Sequence, residues 1–167
     1  MSAPGFEIRP AAPADVPVVL ELIRALADYE QLAHLCVATE GDVAAALFGP
    51  RPAAEVLIAW KNGDAAGFAL FFHNFSTFLG RRGLWLEDLF VRPGHRRQGC
   101  AQALLRALAG IARARDCGRF EWSVLDWNEP AIEFYRALGA SVLPDWRIVR
   151  VVGPALAALA DGRPAPG

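Results

Sequence analysis

Hydrophobic and polar positions repeat along the chain with two different periods, and these periods predict where strands and helices lie. Strands are indicated by short runs that are continuously apolar or alternate between apolar and polar residues. Six runs have this character: Phe6–Arg9, Val56–Trp60, Ala65–His73, Leu84–Val91, Phe120–Leu125 and Trp146–Val152. The pair Asn62-Gly63 between the second and third runs is a strong signal for a hairpin. The chain is therefore expected to contain six strands.

Four other stretches carry apolar residues at the three- and four-residue spacing of an amphipathic helix. Capping residues, prolines and glycines mark where these helices begin and end. The first follows Asp15 and runs to about Glu30, the second lies between Thr39 and Gly49, the third follows Gly99 and closes at Cys117-Gly118, and the fourth lies between Asn128 and Gly139. The tail from Gly153 is rich in Ala, Pro and Gly, so it is expected to be partly disordered.

The order of elements, β-α-α-β-β-β-α-β-α-β, predicts the fold class. A chain of 167 residues fits one domain with its own core, here about residues 5–152. Three antiparallel strands lead into a β-α-β-α-β unit. We therefore expect an α/β (α+β) domain with a mixed, mostly antiparallel sheet and helices on both faces.

Composition excludes several classes of protein. Hydrophobic residues make up 54% and charged residues 21%, which argues against disorder. The net charge of −1 gives no sign of a nucleic-acid partner. No run reaches the roughly 18 apolar residues of a membrane span, and the N-terminus lacks the pattern of a signal peptide. The cysteines Cys36, Cys100 and Cys117 lack metal-ligand spacing, so they predict reduced thiols in a cytoplasmic protein without a metal.

The segment Arg96–Ala101, read as RRQGCA, joins the fourth strand to the third helix. A glycine there lets a ligand approach the backbone, and the first turn of a helix offers N–H groups and a positive dipole end. Arg96 and Arg97, with Arg92 before them, add cationic donors. The segment predicts a seat for a phosphate or pyrophosphate. From these six residues alone, an ordinary loop with solvated arginines is the alternative.

The strand order and this loop together resemble the GCN5-related N-acetyltransferase (GNAT) family over roughly Glu7 to Val152. The loop of that family reads Arg/Gln-x-x-Gly-x-Gly/Ala and binds the pyrophosphate of acetyl-coenzyme A. Arg96, Gly99 and Ala101 occupy its three defining positions. The resemblance implies a GNAT fold, with strands that splay apart around the coenzyme, and a homodimer.

Longer matches resemble the diamine (spermidine/spermine) acetyltransferases within that family. They are Asp28–Glu30 (DYE), Leu86–Val91 (LEDLFV), Asp126–Pro130 (DWNEP) and Phe134–Ala140 (FYRALGA). Asn74–Phe78 (NFSTF) and Val124–Asn128 (VLDWN) are similar to the branch that acetylates thialysine. Pro144 stands where the polyamine enzymes carry an acidic residue two positions before Trp146, although Asp145 is adjacent. The resemblance therefore implies acetylation of amines, while the choice of a polyamine is not implied.

The resemblance also assigns residues to roles. It implies that acetyl-coenzyme A binds to Leu89, Phe90, Val91, Arg96, Arg97, Gln98, Gly99, Cys100, Ala101, Asn128 and Tyr135. It implies that a small-molecule amine binds near Tyr29, Glu30, Glu87, Asp88, Asp126 and Trp146. The alternatives are a surface turn for Tyr29 and Glu30, a structural role for Asp88 and a solvated loop for Asp126. Tryptophans near the site could add a cation–π surface, but a tryptophan in a strand is more often part of a core.

Acetyl transfer requires a neutral amine, and a lysine-like amine with a pKa of about 10.4 arrives charged. The resemblance gives the role of general base, acting directly or through water, to Glu87. The alternative is that Glu87 only attracts the cation. In a regular strand Glu87 and the neighbouring Asp88 would face opposite sides, which a bulge could change.

The resemblance makes Tyr135 the acid that protonates the leaving thiolate, since a phenol can donate to a thiolate. A core aromatic residue is the alternative. Cys100 raises the possibility of a catalytic thiol, but a small residue at a helix start is the better-supported interpretation.

The expected function is that of an amine N-acetyltransferase in which the amine attacks the thioester directly in a ternary complex. Acetylation of a protein lysine or N-terminus is one alternative. A coenzyme A-binding module without turnover is another, but a module of that kind would need neither Glu87 nor Tyr135.

Overall fold

The computed structural model describes residues 5–164, which form two compact units divided between Ser123 and Val124. The first unit contains five strands and three helices. They are β1 (Glu7–Pro10), α1 (Val16–Tyr29), α2 (Glu40–Phe48), β2 (Glu55–Lys61), β3 (Asp64–Ser76), β4 (Arg81–Val91), α3 (Cys100–Ala114) and β5 (Phe120–Trp122). The second unit contains α4 (Glu129–Ala137) and α5 (Gly153–Ala160). No helix within residues 5–164 is both long and apolar enough to cross a bilayer.

The five strands form one sheet in the order β1-β2-β3-β4-β5. The three pairs among β1 to β4 are antiparallel, and β5 runs parallel to β4. The turn between β2 and β3 has positive φ at both Asn62 and Gly63, as the tightest hairpin turns require. The predicted mixed, mostly antiparallel sheet and its hairpin are confirmed.

Helices cover both faces of this sheet. On one face, side chains of α1 and α2 pack against strand residues that point to that face, among them Val56, Ile58 and Phe68. Strand residues that point to the opposite face, such as Leu57 and Phe71, are also buried. Helix α3 lies against β1 to β4. The apolar alternation along β2 and β3 is lost because each strand is buried on both sides.

The pairing of β4 with β5 is short and leaves an opening in the sheet. The two strands are paired from Leu84–Phe120 to Leu86–Trp122 only. Beyond Leu86, β4 continues to Val91 with β3 as its one partner among the residues that the structure describes. This matches the splayed strands that the GNAT resemblance implies, which are here β4 and β5.

A β-bulge lies at the point where the opening begins. In the β3–β4 pairing, Leu70 faces Asp88 and Phe71 faces Leu86, so Glu87 has no opposite residue. A bulge adds one residue to one strand and interrupts the strict alternation of faces. A regular strand was expected over this segment. The structure instead contains a bulge, with Glu87 as the inserted residue.

The C-terminal segment differs from its prediction in two places. The expected last strand, Trp146–Val152, has no regular structure, and Trp146 and Val149 are 81% and 90% exposed. A strand needs a hydrogen-bonded neighbour, which an alternating pattern cannot supply by itself. The expected irregular tail instead contains α5, whose alanines favour a helix and whose Pro154 occupies the first turn. The final residues 165–167 and the first residues 1–4 lie outside the described part.

Candidate active site

The first turn of α3 has the geometry of an anion seat. Gly99 is the N-cap, with φ of +85°, a left-handed conformation that favours glycine. No side chain caps this end, and Ala103 is the first residue whose N–H bonds back to the Gly99 carbonyl, at 2.9 Å. A Cβ placed on Gly99 would meet no atom within 4 Å. The backbone N–H groups of 100–102 precede the first intrahelical hydrogen bond, so they have no partner within the helix and lie at the positive end of its dipole.

Arg96 connects this loop to α1. Its Nε donates to the carbonyl oxygen of Val91 at 2.9 Å. Its guanidinium lies over the ring of Tyr29, 4.6 Å from the centroid, and 5.7 Å from the centroid of Phe90. Arg96, expected at the phosphate seat, therefore also contacts Tyr29, expected at the amine site. One arginine thus links the two groups of residues.

The other cations of the loop have different surroundings. Arg97 is exposed, with φ of +58°. Arg92, a candidate phosphate contact from the sequence, donates to the Ala65 carbonyl and to Glu21, each at 2.8 Å. Arg92 therefore ties β4 to β3 and α1.

Lys61 is a cation that sequence reasoning did not associate with this loop. Its Nζ donates to Oε1 of Gln98 at 2.6 Å, and the Gln98 amide donates to the Gly94 carbonyl at 2.9 Å. The Nζ also lies 5.0 Å from the ring centroid of Phe6. The signal available in the sequence was its place directly before the Asn62-Gly63 turn.

Three carboxylates are associated with the start of the opening in the sheet. Asp88 is partly buried, and its pKa is raised to about 6 by burial first and then by the charges of Glu87 and Glu30. Burial also raises the pKa of Glu30. Glu87 is exposed, and its Oε2 accepts a hydrogen bond from the Trp85 indole at 2.9 Å. Acidic side chains from the end of α1 and from β4 thus share one region.

The second unit carries the remaining predicted residues. Asn128 caps α4, since its Oδ1 accepts from the Ala131 N–H at 3.4 Å, as predicted. Tyr135 lies one turn after the buried Ile132, with its ring centroid 5.5 Å from that of Phe134. Asp126 is exposed, as is Trp146. The coenzyme and amine contacts expected of these residues stay predictions.

Cys100 is buried, with 2% of its surface exposed. Burial raises the pKa of its thiol to about 11, and the charge of Lys61 opposes that rise. At neutral pH the group is therefore a thiol, which is a poor nucleophile.

We expect Cys100→Ala to retain acetyl transfer and to lose about 1 kcal/mol of stability from the small cavity. The substitution keeps the backbone N–H at the helix start and removes only the sulfur. Turnover and chemical denaturation measured on the same preparation check both parts. Abolished turnover in a folded variant would point to an acyl-enzyme instead.

A cavity of about 660 Å³ lies elsewhere in the first unit. Its lining includes Leu47, Phe71 and Ile111, together with the ion pair of Glu55 and Arg115, and none of the predicted site residues. Within residues 5–164, no group of three or more His, Cys, Asp or Glu side chains is arranged to hold a metal ion.

A match to a known protein family identifies the family to which this arrangement belongs. Residues 21–140 match the model of the acetyltransferase (GNAT) family. The chain belongs to this family. The GNAT resemblance expected from the loop and the strand order is confirmed, and so is the expectation of an acyltransferase of the N-acetyltransferase type.

Individual GNAT relatives match over most of the chain. L-ornithine N5-acetyltransferase NATA1 of Arabidopsis thaliana is 36% identical over 91% of this chain and 86% of its own length. Thialysine N-epsilon-acetyltransferase of Bos taurus is 35% identical over 92% of this chain and 96% of its own. These names agree with the predicted branch of the GNAT family.

A solved structure shares the fold of this chain. An integron cassette protein from the mobile metagenome of V. cholerae has a TM-score of 0.76 and 27% identity, covering 93% of this chain and 98% of its own. The fold class expected from the order of elements is thus confirmed.

Proposed function

We propose that this acetyltransferase moves an acetyl group from acetyl-coenzyme A to the primary amine of a small molecule. The acceptor is a thialysine- or lysine-like amino acid, or a diamine or polyamine. The observation that carries the proposal is the contact of Arg96, in the loop before α3, with Tyr29, which directly precedes the acidic Glu30. A seat for a phosphorylated donor and a seat for a cationic acceptor therefore adjoin in one unit.

The donor site fits a coenzyme with a diphosphate and a chain of amides. The N–H groups of 100–102, with Arg96 and Arg97, provide donors for the diphosphate. The β4 segment Leu89–Val91 borders the opening, so its backbone can pair with the amides of the pantetheine arm. Asn128 is a further contact to that arm. The bound thioester supplies the activated acetyl group.

The acceptor site fits an ammonium group that must lose a proton before it reacts. Glu30, Glu87 and Asp88 attract the cation, with Tyr29, Asp126 and Trp146 as further contacts. Glu87 is exposed and takes the proton, directly or through water. The amine nitrogen then forms a bond to the acetyl carbon, the carbon–sulfur bond breaks, and Tyr135 protonates the departing sulfur. The bonded nitrogen still carries one extra proton, which passes through water to the Tyr135 phenolate, and Glu87 releases its own proton to solvent. Both products therefore leave neutral at the reacting atoms, and both side chains are restored.

The relatives favour a small acceptor over a protein. The two relatives described above are named for ornithine and thialysine, each an amino acid with a side-chain amine. We also propose a homodimer with the acceptor site near the subunit boundary. A cytoplasmic location agrees with the free thiols of Cys36, Cys100 and Cys117.

A product assay over an amine panel tests the proposal. The purified chain is given acetyl-coenzyme A with thialysine, lysine, ornithine, diamines, polyamines, or peptides bearing a lysine or a free N-terminus. Released thiol and product mass are measured against a reaction without acceptor. We expect acetylated product from at least one small amine. Product from peptides alone would indicate a protein acetyltransferase, and coenzyme binding without any product would indicate a binding module.

A further inference from the structure

Lys61, at the end of β2, lies beside the α3 turn but is not part of the Arg96–Ala101 segment. We infer that Lys61 binds a phosphoryl group of the coenzyme. The inference rests on the proposed use of coenzyme A and adds a residue from a different element to its site. Lysine acts on phosphate as a mobile point charge with three donors.

The position of Lys61 is fixed by two contacts. Its ammonium donates to the side chain of Gln98, the residue directly before the N-cap Gly99. Its Nζ lies near the ring of Phe6, where the negative face of the ring attracts a cation. The ammonium is therefore held at the edge of the turn where the helix N–H groups open.

The charge of Lys61 reaches the start of the helix. Cys100 is the first residue of α3, and the Lys61 charge opposes the rise in its pKa that burial causes. A dianionic phosphoryl group at the same helix end would feel this charge more strongly than a neutral thiol does.

Within residues 5–164, Lys61 has no carboxylate partner. It takes part in none of the ion pairs found among residues 5–164, whereas Arg92 is bound to Glu21. Its partner Gln98 is a neutral amide that satisfies one of its three donors. The remaining donors and the full positive charge stay available to an anion, which is the arrangement a phosphate site requires.

The test compares Lys61→Met with Lys61→Arg by calorimetric titration. Methionine keeps an apolar stem beside Phe6 and removes the charge, while arginine keeps the charge. We expect Lys61→Met to weaken coenzyme A binding about ten- to a hundredfold, the range for a charge-assisted hydrogen bond. Its affinity should also depend less on salt, because one screened charge is gone. Lys61→Arg should restore most of the affinity.

Three ligands separate the phosphoryl groups and the possible failures. A loss with coenzyme A but not with dephospho-coenzyme A assigns Lys61 to the 3′-phosphate, and a loss with both assigns it to the diphosphate. Acetyl-pantetheine, which has no phosphate, should be used by Lys61→Met as well as by the unaltered protein. An equal loss with acetyl-pantetheine, or no loss with coenzyme A, overturns the inference. Failure of the unaltered protein to bind coenzyme A would overturn the proposed function instead.

Discussion

Tyr135→Phe is expected to lower kcat for acetyl transfer by about a hundredfold or more, the contribution typical of a general acid. The substitution keeps the ring and its contact with Phe134, and it removes the one group proposed to protonate the leaving thiolate. Coenzyme affinity should change little, because binding relies on the α3 turn. Steady-state kinetics and a calorimetric titration on the same variant separate the two effects.

Tyr29→Phe is the matched control, since Tyr29 is the other tyrosine of the chain. Tyr29 lies under Arg96 in the acceptor region, so loss of its hydroxyl should alter the acceptor KM more than kcat. If Tyr135→Phe retains full turnover, the acid is another group and Tyr135 is a packing residue of α4.

Asp88→Asn should stabilise the protein at pH 7.5 and weaken acceptor binding. The folded pKa of Asp88 is about 6, above its ordinary value of 3.8, because burial and the neighbouring Glu87 and Glu30 disfavour the charge. The folded state therefore binds the proton more tightly than the unfolded state does. The resulting destabilisation grows as the pH rises from about 4 to about 6 and is complete above that.

Asparagine carries no charge and removes this destabilisation. The free energy of unfolding at pH 7.5 should therefore rise by an amount on the order of 1–3 kcal/mol, and this gain should shrink below pH 6 and vanish below about pH 4. Chemical denaturation at several pH values measures it. Asp28→Asn, at an exposed position near the end of α1, is the control and should show no such gain. An Asp88→Asn variant that is less stable at pH 7.5, or one with unchanged acceptor KM, would contradict the assignment.

The geometry of the α3 turn, the proposed coenzyme seat, could be predicted from the sequence because its determinants are local. Gly99 lies within the predicted loop segment Arg96–Ala101 and adopts the left-handed conformation that glycine allows. The strand before the loop and the helix after it follow from apolar periodicity alone. Asn128 and Thr39 were recognised as caps because a cap bonds within three residues of itself.

The features that were missed depend on distant parts of the chain. The bulge at Glu87 exists only in the register of β4 against β3. Lys61 and Gln98 are 37 residues apart, and the raised pKa of Asp88 depends on burial. The absent strand at Trp146–Val152 was inferred from alternation, which does not say whether a neighbouring strand exists.

The central claim is that the first turn of α3 holds the diphosphate of the coenzyme, and backbone amide NMR during a coenzyme A titration tests it most directly. The claim predicts that the amide resonances of Gly99, Cys100, Ala101 and Gln102 shift strongly and saturate together with the heat of binding. Saturable binding that leaves these four resonances unmoved, with the shifts confined to the cavity near Ile111 or to α5, would contradict it.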